Sequence, residues 1–385
     1  MQIEARGVVY DAVDQPPHRR IAFFTSLCPL RSGTILCGFH VGSAKHAPDA
    51  TVGICRSRDG GANWSSLPVR FETTIDGVSG SLAGGEFVEV APGRVQMLAT
   101  WFDRSDPQRP LFDPTTEGIL RSKLLLADSD DEGETWSPWR QLPTAELTGC
   151  ATTGPIVAWP DGTLAYAFES FKEFDDPRPG CHAAWIVVSR DGGRTFSQPL
   201  LVADDPSGQL YFWDQRLCST GAPGQFVALF WTHERAQQQD RTVHLRYLTL
   251  DGDRLRPGPM FATSIQGQIA APLSVDRQTL LAFVVDRVRP GTMKLWRSRD
   301  QGRTWPDEDC LVVHTHDEQA AVTQTSSDID FAQYWEDMGK WSFGHPAIRR
   351  LDPRHVLLAY YAGTPQAMSI HWARICLDEG SPAAD

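Results

Sequence analysis

The chain has 385 residues, of which 41% are hydrophobic and 22% charged, and its formal net charge is −12. This composition is typical of a folded globular protein and excludes collagen-like and disordered classes. An acidic chain lacks the basic stripe that nucleic-acid binding requires, and no apolar run approaches the ~18 residues of a membrane span. We therefore expect neither a nucleic-acid nor a membrane partner.

The amino-terminal segment and the cysteines point to one compartment. Residues 1–13 lack a basic start followed by an apolar core, so we expect no secretory signal and a cytoplasmic protein. The eight cysteines form no CxxC pair and no Cys/His cluster, which argues against a zinc site. We expect free thiols in a reducing compartment, and no motif calls for a metal or an organic cofactor.

Along the chain, an apolar strand, a turn rich in Pro, Asp or Gly, and a second apolar strand recur six times. Alternating β-branched and aromatic residues broken by such turns are typical of β-hairpins. The six copies span residues 26–39, 87–101, 155–168, 216–231, 271–285 and 346–361. An early strand at Val8–Val13 is expected to pair with the last copy and close a ring.

Four of the hairpins are followed by an octet of the form Ser-x-Asp-x-Gly-x-x-aromatic. The octets are Ser57–Trp64, Ser129–Trp136, Ser189–Phe196 and Ser298–Trp305, with starts separated by 72, 60 and 109 residues. The longest interval is close to two repeats, and Leu248–Leu255 lies in it as a decayed copy. Ser and Asp side chains bond nearby backbone amides and Gly supplies a positive φ, so each octet predicts a turn between two strands. The final aromatic is expected to pack beneath that turn.

Each hairpin with its following segment predicts a four-stranded sheet, and six such sheets arranged radially make an all-β, six-bladed β-propeller. The predicted blades cover residues 20–72, 79–143, 150–204, 208–262, 266–315 and 341–377, with an insertion at 316–340 between the last two. Length alone suggests two or three domains, but this repeat predicts one domain over 1–385.

The octets are similar to the Asp-boxes, or BNR repeats, of the sialidase (neuraminidase) superfamily. From about residue 8 to 377 the chain resembles a six-bladed sialidase-like propeller. The resemblance implies a carbohydrate ligand at the propeller axis, on the face opposite the Asp-boxes. It also implies a purely structural role for four Asp-box carboxylates, namely Asp59, Asp131, Asp191 and Asp300. A fold does not by itself define a function, so the site residues decide between reactions.

Sialidases bind the substrate carboxylate with three arginines and use a tyrosine nucleophile with a glutamate partner and an aspartate acid/base. Arg235 matches the second arginine, whereas Phe23–Thr25 and Gln268 stand where the other two are expected. Only one of the three arginines expected from the resemblance is therefore present.

The nucleophile position of the family is also changed, because His345 stands where the tyrosine is expected. Asp214 or Gln215 corresponds to its glutamate partner, and Asp49 lies near the acid/base position. We predict that Asp49 protonates the leaving oxygen, and that His345 with Asp214 activates water or attacks directly. A carboxylate beside Tyr211, Phe212 and Trp213 is expected to have a raised pKa.

Other residues at the predicted upper face are candidates for substrate binding. They are Arg235, Gln215, Gln268, Arg287, Glu169 and His46, with Tyr334 and Trp335 of the 316–340 insertion placed to stack on a sugar ring. A second insertion, Asp103–Gly118, also lies on this face, where long loops commonly shape function.

Each candidate has a structural alternative. His345 suits a bond to a backbone carbonyl, Asp214 a bridge to Arg216, and Asp49 a turn. Arg235 suits an exposed bridge to Glu234 or Asp240.

Three functions follow from these residues. The first is a glycoside hydrolase acting on an anionic or deoxy sugar, with Arg235 on the acid group. The second is a polysaccharide lyase in which a His base and an Arg act on a uronic acid. The third is a non-catalytic propeller that binds a glycan or a protein, for which the incomplete arginine set is an argument and the cluster of ionisable residues a counter-argument.

Overall fold

The computed structural model describes residues 1–317 and 340–377, and within them the chain forms twenty-six β-strands and two short 3-10 helices. In chain order the strands fall into six groups, each built on antiparallel neighbours. None of the helical segments in this part of the chain is long and apolar enough to span a membrane.

The first two groups begin with the amino-terminal strand. After β1 (Gln2–Tyr10) and the 3-10 helix Pro17–Arg19, the first group holds β2 (Ile21–Pro29), β3 (Ile35–Gly42), β4 (Thr51–Ser57) and β5 (Ser65–Ser66). The second group holds β6 (Thr74–Ile75), β7 (Val78–Ala91), β8 (Arg94–Asp103), β9 (Ser122–Ser129) and β10 (Arg140–Gln141).

The middle groups repeat the same order. The third holds β11 (Val157–Ala158), β12 (Leu164–Phe171), β13 (His182–Ser189) and β14 (Leu200–Asp204). The fourth holds β15 (Leu210–Ser219), β16 (Gln225–Glu234), β17 (Gln239–Asp240), β18 (His244–Asp251) and β19 (Arg254–Ala262).

The last groups complete the chain. The fifth holds β20 (Ala270–Ser274), β21 (Leu280–Asp286), β22 (Thr292–Ser298), the 3-10 helix Asp307–Asp309 and β23 (Cys310–Thr315). The sixth holds β24 (Phe343–Arg350), β25 (His355–Thr364) and β26 (Ala367–Cys376). All six predicted hairpins are present as the first two main strands of these groups.

The two ends of the chain meet in one sheet. β1 pairs antiparallel with β26, and β2 pairs parallel with β26 through Ile21 and Met368, so the first and sixth groups form a single eight-stranded sheet. The predicted pairing of an early strand with the last group is confirmed, but its bounds of Val8–Val13 are wrong. Alternating burial runs back to Gln2, and Val13 is 62% exposed beyond the strand.

Apolar side chains fill the space between consecutive groups, because central strands such as β3, β8 and β21 are buried on both faces. Each neighbouring pair of groups, including the sixth with the first, shares a buried cluster. One residue pair from each cluster is Ile54 with Leu82, Leu98 with Phe168, Ala184 with Phe226, Leu229 with Ala282, Phe283 with Leu358, and Phe39 with Ile370.

The octets form the turns that the sequence predicts. In the first, Ser57 Oγ accepts from the Gly61 amide at 2.9 Å and donates to Asp59 Oδ1 at 2.8 Å. Asp59 Oδ1 also accepts from the Asn63 amide at 2.9 Å, and Trp64 Nε1 donates to the Gly61 carbonyl at 2.8 Å. Gly61 has φ +91°, which a side chain would oppose.

The other three octets repeat the Ser–Asp, Ser–Gly and Asp–backbone hydrogen bonds. The four octets connect β4 to β5, β9 to β10, β13 to β14, and β22 to β23. At the corresponding place in the fourth group, Leu248–Leu255 forms a tight hairpin in which Asp251 pairs with Arg254.

Strand direction separates the octets from the other edge of the sheets. Phe23 near the start of β2 pairs with His40 near the end of β3, and His40 pairs with Val52 at the start of β4. The octet after β4 therefore lies at the opposite edge from the start of β2. All eight cysteines are free thiols, as expected.

Candidate functional site

Three first strands bend sharply at a residue that is not glycine. Phe24 in β2, Asp214 in β15 and His345 in β24 have φ of 55°, 48° and 52°, and the pairing register shifts at each of these points. A left-handed backbone at such residues costs about 1–2 kcal/mol each. Bulges of this kind redirect side chains, and here all three side chains line the same cavity.

The cavity has a volume of about 90 Å³ and lies at the edge opposite the octets. Its apolar wall consists of Phe24, Ala83, Phe102, Leu111, Phe112, Ile119, Ala151, Phe171 and Trp213. Its polar lining consists of His46, Glu86, Thr100, Thr152, Thr153, Glu169, Asp214 and His345. Leu111 and Phe112 belong to the predicted Asp103–Gly118 insertion, which thus forms one wall of the cavity.

Asp214 is the most strongly perturbed acid in the cavity. Burial and, to a smaller extent, the nearby Glu169 carboxylate raise the pKa of its carboxyl, Arg216 and Arg287 partly oppose the shift, and the resulting pKa is about 7. Asp214 Oδ1 lies 4.0 Å from Arg216 Nη2. A carboxylic acid that keeps its proton near neutral pH is suited to donate that proton in catalysis.

Arg216 connects three cavity residues. Its Nη1 lies 3.6 Å from Glu86 Oε1, its Nη2 faces Asp214, and the same Nη2 contacts His345 Nε2. Arg216 and Glu86 are both buried, and burial raises the pKa of Glu86 while Arg216 opposes that shift. One buried guanidinium therefore holds two carboxyl groups and an imidazole around the cavity.

His345 is held neutral in this arrangement. Burial lowers the pKa of its imidazole well below the ordinary value, and the Arg216 charge lowers it further. Guanidinium is only a donor, so His345 Nε2 accepts and the ring proton is assigned to Nδ1. His345 Nδ1 is buried and has no hydrogen-bond partner within residues 1–317 and 340–377.

Glu169 supports the bend at Asp214. Its Oε1 accepts from the Gln215 amide at 2.9 Å, and its Oε2 lies 3.0 Å from His182 Nε2. The Gln215 side chain points away from the cavity, donating to the carbonyls of Phe168 at 2.6 Å and Trp185 at 2.9 Å. Glu169 thus lies in the predicted site, whereas Gln215 contributes its backbone.

Two other predicted residues, Arg287 and Gln268, form a neighbouring buried network. Arg287 donates to Gln268 Oε1, to the Phe343 carbonyl at 3.0 Å and to Tyr361 Oη at 3.4 Å. Lys45 Nζ also donates to Tyr361 Oη, at 2.9 Å. Among the described residues this network lies beside the cavity and does not line it.

Arg235 is bound by an acid that the sequence did not suggest. Glu117 of the Asp103–Gly118 insertion accepts from Arg235 Nη2 at 2.9 and 3.1 Å, and the guanidinium stacks 4.8 Å from the Tyr211 ring. The expected bridges to Glu234 or Asp240 are replaced by this pair. Arg235 lies outside the cavity lining.

Of the remaining predicted residues, His46 lines the cavity and Asp49 does not. His46 lines the cavity with φ 55°, and burial lowers the pKa of its ring well below the ordinary value. Asp49 is exposed and accepts from the Ser43 amide and hydroxyl, both at 3.0 Å, so it stabilises a turn outside the cavity. Tyr334 and Trp335 lie outside the described residues.

Sequence reasoning missed Glu86, the partners Glu117 and His182, and the linking role of Arg216. Glu86 follows the pair Gly84 and Gly85, both with positive φ, where the register of β7 shifts. A Gly-Gly pair inside a strand pattern is a recognised signal for a bulge. The other partners have no such local signal.

No known protein-family model matches this chain, and no curated protein matches it at a significant level. Solved structures do match. A Dyadobacter fermentans protein of unknown function has 16% identity and a TM-score of 0.72, with 98% of this chain and 99% of that chain covered.

Several sialidases share the fold. The Hadza microbial sialidase Hz136 has 17% identity and a TM-score of 0.69, covering 97% of this chain and 68% of that chain. The intramolecular trans-sialidase from Ruminococcus gnavus has 12% identity and a TM-score of 0.61, covering 98% and 99%. The chain therefore has a sialidase-like, all-β fold.

Proposed function

We propose that the protein is a glycoside hydrolase that cleaves a glycan in the cavity lined by Asp214 and His345. Its scaffold is a closed six-bladed propeller, and its octets are Asp-boxes. The shared clusters between consecutive groups, including the sixth with the first, support the ring. The sialidase-like fold supports a carbohydrate ligand, although a fold alone does not define a reaction.

The observation that carries the proposal is the state of Asp214. Its carboxyl lines a cavity, has a left-handed backbone and has a pKa raised to about 7 by burial. Perturbed acids in cavities are typical of catalytic sites. In the proposed reaction Asp214 donates its proton to the glycosidic oxygen, which leaves as an alcohol.

A second carboxyl group completes the pair that glycoside hydrolysis requires. Both oxygens of Glu169 are bound by Gln215 and His182, so Glu169 is a positioning residue. Among residues 1–317 and 340–377, the ion pair of Glu86 is the 3.6 Å contact with Arg216, and Glu86 is assigned as the base that takes a proton from water or as the nucleophile. Water supplies the hydroxyl group that ends on the anomeric carbon. If Glu86 is the base, the proton that it takes from water returns to Asp214 through solvent; if Glu86 is the nucleophile, ionised Asp214 takes the proton from the water that cleaves the glycosyl–Glu86 ester.

The test is to incubate the full chain with a mixed panel of neutral glycans, sialosides and uronic-acid oligosaccharides in water labelled with heavy oxygen. Mass spectrometry is expected to show cleavage with heavy oxygen at the new reducing end. Cleavage without added water would indicate elimination by a lyase and would overturn the proposal. Binding without any cleavage would indicate a glycan-binding propeller, and Asp214→Asn is the control for contaminating activity.

A further inference from the structure

We infer that the sugar ring bound in the cavity is neutral: it carries hydroxyl or deoxy positions and no carboxylate. For catalysis this inference rests on the proposed function, but it also concerns binding, which is measured separately. It replaces the expectation that Arg235 binds the acid group of an anionic sugar.

The first argument is the charge of the cavity lining. Three acidic side chains, Glu86, Glu169 and Asp214, line the cavity, and no Lys or Arg does so among residues 1–317 and 340–377. A ligand carboxylate would lie beside these acidic groups without a cation in the wall. The carboxylates of Glu86 and Glu169 would repel a ligand carboxylate, and more strongly in a buried site than in water, and Asp214 would add to this repulsion as pH rises above about 7.

The arginines nearest the cavity contact protein groups through their terminal nitrogens, and Arg216 Nε is buried without a hydrogen-bond partner among the described residues. Arg216 faces Glu86, Asp214 and His345, and Arg235 holds Glu117 through two hydrogen bonds. Arg287, whose charge also acts on Asp214 and His345, donates to Gln268 Oε1 and to the Phe343 carbonyl. Arg104 donates to Ser81 Oγ at 2.9 Å and to the His46 carbonyl at 2.6 Å. The stretch 318–339 contains no Lys or Arg in its sequence. A carboxylate that paired with the terminal nitrogens of these arginines would therefore have to displace an existing contact.

The second argument comes from polar atoms in the cavity that lack partners. His345 Nδ1, Thr153 Oγ1 and both ring nitrogens of His46 are buried, and none has a hydrogen-bond partner within the described ranges. Burying such groups without partners costs free energy, so native proteins seldom leave them unpaired. Burial lowers the pKa of both histidines, so these groups are uncharged near neutral pH. Neutral donors and acceptors of this kind match sugar hydroxyl groups.

The third argument is the apolar wall. Phe24, Phe112, Phe171 and Trp213 face the same cavity. Binding sites combine such aromatic surfaces with a few polar groups that set orientation. The C–H face of a neutral or deoxy sugar ring packs on such a surface, while its hydroxyl groups reach Thr153 and the two histidines.

The experiment measures binding by saturation-transfer NMR and calorimetry with the full chain. The probes are the methyl glycosides of glucose, galactose, mannose, xylose, fucose and rhamnose, compared with those of glucuronic, galacturonic and sialic acid. We expect at least one neutral probe to bind ten-fold or more tightly than its carboxylated counterpart. Tighter binding of a carboxylated sugar, or no binding of any probe, would overturn the inference.

Turnover of the corresponding aryl glycosides separates this inference from the proposed function. Cleavage of neutral glycosides supports both, whereas cleavage mainly of sialosides or uronides keeps the hydrolase and overturns the neutral ligand. Neutral binding without cleavage of any glycoside keeps the neutral ligand and overturns the hydrolase.

Two threonine variants test the contacts. Thr153→Val removes a hydroxyl that has no partner among the described residues, so we expect unchanged thermal stability and a ten-fold or greater loss of affinity for the neutral sugar. Thr152→Val is the matched control, because Thr152 Oγ1 donates to the Ala167 carbonyl at 3.3 Å and its loss is expected to lower stability instead. Unchanged affinity in Thr153→Val would contradict the assigned contact.

Discussion

The octet turns and the cavity lie at opposite edges of the same sheets and differ in how their polar groups are satisfied. In the turn Ser189–Phe196, the hydroxyl of Ser189 and the carboxylate of Asp191 bind groups no more than four residues away. In the cavity, His345 Nδ1 and Thr153 Oγ1 have no partner among the described residues. The hydrogen bonds of the turns stabilise the fold, whereas the cavity has polar atoms without protein partners that can bind a ligand.

Asp214→Asn is expected to cause the largest effect. Loss of the proton donor should lower kcat about a thousand-fold, since general acids contribute about 10²–10⁴-fold to rates. Asn tolerates the left-handed backbone at this position, so the fold should be kept. The measurement is steady-state kinetics on the glycan identified by mass spectrometry, with circular dichroism to verify folding.

Asp191→Asn is the matched control in a turn. It also replaces a carboxylate with an amide, but at the opposite edge of the sheets, so kcat should stay within two-fold of wild type, within about 0.4 kcal/mol of barrier. A similar loss of kcat in both variants would show that Asp214 acts through stability alone.

Glu169→Gln is expected to change the pH profile. The Glu169 charge helps raise the pKa of Asp214, so its removal should lower that pKa. Activity that requires protonated Asp214 is lost as pH rises through about 7 in wild type and should be lost at lower pH in the variant. The amide oxygen can still accept from the Gln215 amide, which keeps the bend. An unchanged alkaline limb in the pH dependence of kcat/KM would rule out this coupling.

The two regions should also respond oppositely to pH in stability. The folded-state pKa of Asp214, about 7, is above its ordinary value of 3.8, so its contribution to stability decreases as pH rises from about 4 to 7. The Asn63 amide and side chain lower the pKa of Asp59 to about 2, so its contribution is lost as pH falls from about 4 to 2.

Thermal unfolding of Asp214→Asn and Asp59→Asn against pH measures these contributions. Relative to wild type, Asp214→Asn should become more stable as pH rises from 4 to 7. Asp59→Asn should be less stable than wild type at neutral pH, and this difference in stability should disappear as pH falls below 4. Parallel curves for the two variants would contradict the opposite signs.

Ser189→Ala is expected to have the smallest effect. It removes the acceptor for the buried Gly193 amide, at 2.8 Å, and should lower the free energy of unfolding by about 1–2 kcal/mol without changing kcat. Urea unfolding of this variant beside Ser57→Ala, Ser129→Ala and Ser298→Ala should give similar losses, because the four turns share the same bonds. A loss of activity in any of these four variants, measured on fully folded protein, would contradict a purely structural role of the turns.

Local sequence was sufficient to predict the hairpins and the turns. The bonds of Ser57 and Asp59 reach residues four positions away at most, so the octet contains all the groups that form the turn. The alternating apolar strands likewise carry their pattern in a few consecutive residues. The presence of Asp214, His345, Glu169 and His46 at one edge followed from strand direction.

Only the tertiary structure decided which of these residues meet. Arg216 contacts His345 across 129 positions, and Arg235 binds Glu117 across 118, so no spacing in the chain could indicate either pair. The same packing places Asp49 in an exposed turn and pairs Arg235 with Glu117. Sequence determined the repeated local bonds because they form within a few residues, whereas the cavity depends on the long-range packing of five separate groups of strands.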